Sequence, residues 1–192
     1  LESGAKGARL FLRDGRHESL QMNIPETYDY LVRARRNLWT ALQGVPDEVL
    51  SRPLLDGEKF HCIKDLIFHL VATEDFWIRE EILREQPTRE TVPALKGTRG
   101  GPIFAVSALE TLLDYWQLVE QSTLTYLPTL GDDELKRIVT VHDRPSQRFT
   151  VDHLLWNVMF HEMRHTSQIT VLLRTQHIKP PALDLYYYLP SA

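Results

Sequence analysis

The chain has 192 residues, 43% of them hydrophobic and 25% charged, which excludes a disordered, collagen-like or membrane-spanning chain. A net charge of −4 and a pI of about 6.1 argue against nucleic acid as a partner, because such modules carry a basic excess. The single cysteine, Cys62, leaves no internal disulfide. No apolar run reaches the ~18 residues of a membrane span and no signal-peptide core is visible, so the expected compartment is the cytoplasm.

Residues 1–21 are rich in Gly, Arg and Ser, show no helical period and end just before the first methionine, Met22. They are expected to be a segment of cloning origin or without order, ahead of a single domain over 22–192. From there Pro25 suits the first turn of a helix. Tyr28, Leu31, Leu38 and Leu42 recur on one side of that helix until Gly44 and Pro46 end it. A second helix is expected from about His61 to Arg84, with Ile63, Leu66, Ile67, Leu70, Trp77 and Ile78 at helical spacing and Pro87 closing it.

Ser107 followed three residues later by Glu110 reads as a capping box for a third helix through Leu109, Leu112, Leu113, Trp116 and Val119, ended by Pro128. A short strand pair is expected at Arg137–His142 and Gln147–Phe149, around a turn at Asp143-Arg144-Pro145-Ser146. Thr150 and Asp152 suit the start of a fourth helix that runs to the Pro180-Pro181 stop. Four helices of this length predict an all-α four-helix bundle. The long connection 85–106, with Gly100-Gly101-Pro102, predicts a crossover within it.

The strongest chemical signal is His161-Glu162-Met163-Arg164-His165. Helical positions four apart differ by only about 40° around the axis, so both imidazoles can reach one divalent metal. The spacing also reads as H-E-x-x-H, in which Glu162 would be the general base of a metal-dependent hydrolase. That reading wants a third ligand downstream, but Thr166 to Val171 carries none and no glutamate follows Glu162. Asp184 is the remaining downstream candidate. An upstream ligand fits better: His69 sits at the border of the apolar stripe of the second helix. There it serves either as a hydrogen-bonded boundary residue or as a third nitrogen donor, leaving a fourth position for water or substrate.

Three segments together resemble the DinB/YfiT-like superfamily. They are a histidine ahead of Thr-Glu-Asp-Phe-Trp, then Asp-His-Leu-Leu-Trp with His-Glu-x-Arg-His-x-x-Gln-Ile, and the closing Pro-Pro-Ala-Leu-Asp-Leu-Tyr-Tyr-Tyr-Leu-Pro. The resemblance spans Met22 to Pro190. It implies a four-helix bundle with a long crossover, assembled as a homodimer. It also implies a divalent metal, zinc or nickel, held by three histidines that map onto His69, His161 and His165. Characterised relatives include transferases and an isomerase that use a low-molecular-weight thiol on a small-molecule substrate. A non-catalytic metal-binding bundle, structural or sensing, is the alternative.

Other residues carry a functional and a plain reading side by side. Glu162 is either an acid/base group or one half of a salt bridge to Arg164 or a neighbouring helix. Glu74 and Asp75 either orient His69 or are solvated. Cys62, at a helix start, is either an activated thiol or an inert buried one. His153 either lines the metal cavity or bonds local backbone. Arg33, Arg35 and Arg36 read as a solvated basic face, and Tyr186, Tyr187 and Tyr188 as a tail packed on the bundle, across a dimer interface or into the metal pocket. No groove-reading element, phosphate loop or nucleophile elbow is present.

Overall fold

The computed structural model describes residues 23–55, 59–98 and 107–188. The expectation for residues 1–21 and the Gly100-Gly101-Pro102 segment lie outside them. Helix α1 spans Ile24–Gln43, opened by Asn23, whose side chain accepts from Glu26 N, with Pro25 in the first turn. A short α2, Asp47–Ser51, follows. Helix α3, Ile63–Asp75, runs directly into π-helical turns over Phe76–Ile82. Helix α4 is Leu109–Tyr126, α5 is Asp132–Lys136, and α6 is Val151–Thr175 with Thr150 accepting from His153 N at 3.2 Å.

Three local expectations need correction. The second helix does not keep one period to Arg84: the amide of Leu83 bonds the carbonyl of Ile78, five residues back, and Arg84 closes the turn at φ 59°. The Ser107–Glu110 capping box does not form. Helix α4 starts at Leu109 behind Ala108, with no side-chain cap, so Ser107 lies one residue too early to reach the free amides. In the hairpin, β1 (Ile138–Val141) pairs antiparallel with β2 (Arg144–Thr150), and the turn is the tighter His142-Asp143. Arg144 pairs with Val141 and Arg148 with Thr140, so Pro145, Ser146 and Gln147 are extra residues in a bulge. A bulge tolerates a proline that cannot donate to the ladder.

The core has two apolar halves, and they fix the helix directions. One half joins Leu38 and Leu42 of α1, Ile63 to Val71 of α3, Leu109 to Val119 of α4, and Ile169 to Leu173 of α6. The other joins Ile24 to Ala34, Ile78 and Ile82, Tyr126, and Val151 to Met159. The C-terminal ends of α1 and α6 therefore meet the N-terminal ends of α3 and α4. Helices α1 and α6 are parallel to each other and antiparallel to α3 and α4. Each of α1 and α3 packs on both α4 and α6, so consecutive helices α1 and α3 stand diagonally. Because α3 and α4 are parallel neighbours, the chain between them must return the length of the bundle, which is the expected crossover. No helix among the described residues is long and apolar enough to cross a membrane.

Between the two halves lies a polar layer that draws on all four long helices. Arg35 of α1 is wholly buried and meets three buried carboxylates. It bonds Glu162 of α6 through Nε (3.0 Å) and Nη2 (2.6 Å), Glu120 of α4 at 3.0 Å and Glu74 of α3 at 3.3 Å. Tyr28 and Thr123 donate to Glu74, and Arg36 adds a second guanidinium on Glu120. The basic run of α1 is thus not a solvated face: Arg35 points inward, while Arg33 pairs with Asp29 at 3.0 Å.

Candidate metal centre

The inward grip on Glu162 sets the rotation of α6. One residue earlier along a helix is about 100° around, so His161 turns from the bundle axis into the groove between α6 and α3. His165 follows on the same face, and His69 comes from antiparallel α3. The Nε2 atoms of His69 and His161 stand 3.1 Å apart. One ligand nitrogen from each of the three rings lies within 4.8 Å of the others. No other His, Cys, Asp or Glu joins them among the described residues.

The donor set fits a divalent metal. At a metal–nitrogen bond of about 2.05 Å, two tetrahedral ligands lie about 3.3 Å apart, close to the His69–His161 separation. Burial is the first cause that lowers the imidazole pKa values, to about 4 for His69 and about 3 for His161. The His165 ring and the Arg164 charge act in the same direction on both, with Lys59 adding to it at His69 and His69 itself at His161. His165 is lowered by burial against the opposing hydrogen bond of Gln168. All three rings are therefore neutral at pH 7 and keep a lone pair for a cation. His165 Nδ1 lies 2.6 Å from Gln168 Oε1, a contact that needs the proton on Nδ1 and leaves Nε2 as the donor atom. Phe60 stacks on His69, ring centroids 4.0 Å apart.

The histidines line a cavity of about 300 Å³ together with Leu55, Lys59, Phe60 and Leu66. His69 and Lys59 also border a larger cleft of about 710 Å³, walled by Phe76 and Trp77 of the π turns and by Arg144 of the hairpin.

The remaining sequence candidates fall elsewhere. Both oxygens of Glu162 are held by Arg35, so this glutamate is the buried partner of a neighbouring helix and does not face the histidines as a base. Glu74 and Asp75 do not orient His69. Glu74 belongs to the Arg35 layer, and Asp75 accepts from Tyr115 Oη (2.7 Å), Thr88 N (2.9 Å) and Arg89 N (3.1 Å), pinning the start of the crossover to α3. Cys62 caps α3 by accepting from Asp65 N at 3.4 Å, and burial pushes its thiol up to about 11, the inert reading. His153 and Asp184 are outside the cavity lining, as are the described tail tyrosines. Tyr188 instead packs edge-on against Tyr30 and donates to Ala182 O, while Tyr186 and Tyr187 are exposed. The Arg35 layer was the feature that sequence reasoning missed. Its only trace was one arginine at the position of an apolar stripe, four residues before Trp39 and seven after Tyr28.

Comparison with solved structures returns the same architecture. YfiT from Bacillus subtilis, described as "a probable metal-dependent hydrolase with an unusual four-helix bundle topology", aligns at TM-score 0.61 and 18% identity, covering 86% of this chain and 94% of its own. A conserved protein from Enterococcus faecalis aligns at 0.59 and 16%, covering 77% and 93%. A DinB-like protein from Bacillus cereus aligns at 0.57 and 17%, covering 83% and 96%. At such identities the likeness speaks for the fold. No curated protein matches. The sequence model of the DinB family matches residues 17–192, and the chain belongs to the DinB family.

Proposed function

We propose that this protein is a divalent-metal-dependent enzyme acting on a small molecule, with His69, His161 and His165 holding the metal and thiol-dependent transfer as the reaction class. The observation that carries the reading is the convergence of three imidazole nitrogens within 4.8 Å in the wall of an open cavity. Three protein ligands, rather than four, is the number that catalytic zinc sites use. Neutral nitrogen donors suit zinc or nickel. A divalent ion there supplies Lewis acidity, which lowers the pKa of a water or thiol beside it.

The chain's own residues supply the setting. Burial keeps the imidazoles unprotonated, Gln168 fixes the tautomer of His165, and Phe60 braces His69. Leu55, Phe60 and Leu66 thin the water around whatever the cavity admits. Hydrolysis, the activity in the description of YfiT, is the second reading, and it would have to run without Glu162 as its base. The same proposal places the protein in the cytoplasm as a homodimer. Phe160, 59% exposed and stacked on Trp156, and Val171, 55% exposed, offer apolar surface on the outside of α6.

The test is metal content by mass spectrometry on purified protein beside His69→Ala and His161→Ala. Near-stoichiometric metal in the wild type, lost in both variants at unchanged helical circular dichroism, supports the site and justifies a thiol-transfer and hydrolysis screen. Metal absent after reconstitution overturns the proposal. Bound metal that admits no exchangeable ligand favours the structural or sensing bundle.

A further inference from the structure

Among the described residues, the charged side chains that line the cavity before the three histidines are of one sign. Lys59 and Arg164 line it, and no Asp or Glu among the described residues does. Arg164 rises from α6 between His161 and His165 with its side chain exposed, and it makes no ion pair among the described residues. Arg33, Arg79, Arg84, Arg89 and Arg137 each sit against a carboxylate, whereas Arg52, Arg144, Arg148 and Arg174 share the lack of an ion pair among the described residues. Of these unpaired arginines Arg164 is the one that lines the histidine cavity. The Lys59 ammonium stands 5.3 Å from the centroid of the Phe60 ring that stacks on His69. Both charges are felt at the imidazoles, Arg164 at all three and Lys59 at His69.

Three neutral histidines bring no negative charge to balance a divalent ion, and two further cations beside them raise the cost of any neutral or positive occupant relative to an anion. A planar guanidinium fork and a mobile ammonium are also complementary tools for one carboxylate: the first offers paired donors, the second a point charge that follows it. Lys59 and His69 also border the aromatic-walled cleft of about 710 Å³, where Glu80 and Asp143 stand among the lining residues, so the one-sign charge belongs to the metal pocket and not to the cleft beyond it.

From this arrangement we infer that the ligand of the site is a small acid, presenting a metal-seeking group to His69, His161 and His165 and a carboxylate to Lys59 and Arg164. The inference rests on the metal reading above and adds to it the charge and the anchoring residues of the ligand.

Cobalt(II)-loaded protein tests it without any turnover, since thiolate binding to cobalt is visible in its absorption spectrum. The protein is titrated at low salt with 3-mercaptopropionate, 2-mercaptoethanol and cysteamine, which share a thiol and differ in the charge of the far end. The expected order of affinity is acid, then neutral, then amine. The acid is expected to bind about tenfold more tightly than the neutral thiol, what two exposed ion pairs together support at low salt. In Lys59→Gln/Arg164→Gln the cobalt spectrum persists and the preference collapses. Equal affinities in the wild type, or a preference that survives in the double variant, overturn the inference and leave the metal site standing. Failure of the wild type to take up cobalt overturns both.

Discussion

Replacing Arg35 by methionine removes the one guanidinium shared by Glu74, Glu120 and Glu162 while keeping most of the side-chain volume. Five hydrogen bonds are lost, four to carboxylates and one from Nη1 to Tyr28 Oη at 3.3 Å, together with the stacking of the guanidinium over Trp116 at 5.1 Å. Glu120 then keeps only Arg36, itself half exposed, and Glu74 and Glu162 lose their guanidinium partner. Breaking a buried ion pair from one side costs about 3–5 kcal/mol, and that is the expected loss in urea unfolding at pH 8. The loss should shrink at pH 5. Burial holds the Glu120 carboxyl above its ordinary range against the opposing pull of Arg35 and Arg36. Without Arg35 it rises further. A folded-state carboxyl pKa above the unfolded one means that the native state binds more protons between the two values, so stability declines as pH rises through that window. Groups common to both proteins, the histidines included, cancel in the difference between wild type and variant at each pH. Adding Glu162→Gln to Arg35→Met should recover more than about 1 kcal/mol through their coupling. A loss below about 1 kcal/mol, compared with the range expected for one-sided removal, or an equal loss at both pH values, would refute this account of the layer.

Three further outcomes follow from individual contacts. Gln168→Ala frees the His165 ring and should weaken metal affinity roughly tenfold in a chelator competition, the lower end of what such supporting contacts contribute; unchanged affinity would show that the contact does not orient the ligand. Tyr115→Phe removes one donor from the buried Asp75 carboxylate and should cost about 1.5–3 kcal/mol, with faster hydrogen exchange at Thr88 and Arg89, whose amides share that carboxylate. Protection at those two amides equal to wild type would count against the anchor. Cys62, 1% exposed with its thiol near 11, should resist iodoacetamide at pH 7.5 in the native protein and react once urea unfolds it. Rapid native alkylation would reinstate it as a reactive group.

Periodicity carried the helices well. The stripe of Tyr28, Leu31, Leu38 and Leu42 and the punctuation by Gly44, Pro46, Pro87, Pro128 and Pro180 are local facts, and the four long helices formed between those signals, while the short helices Asp47–Ser51 and Asp132–Lys136 went unread. The i, i+4 pair His161 and His165 was legible for the same reason, because helix geometry alone puts both on one face. Local reading failed where the deciding partner is remote in sequence. Arg35 looked like one of three solvated cations because its carboxylates come from positions 74, 120 and 162. Glu162 read as either a base or a salt-bridge partner of Arg164 or a neighbouring helix, and only the fold names Arg35 as that partner. The π turns after Asp75 and the bulge at Pro145 arise from packing and pairing that no single segment specifies.

What the sequence determined by itself was thus the four long helices, the residues that stop them, and the family. Each depends on interactions within a few residues or on motifs readable in order. What the tertiary structure decided was the diagonal placement of α1 and α3, the inward rotation of α6, and the meeting of His69 with His161 across 92 positions. The apolar halves set the helix directions, and the buried Arg35 must meet its carboxylates from α3, α4 and α6. In a low-dielectric core that requirement outweighs local preference, and it is met only when all four helices are in place.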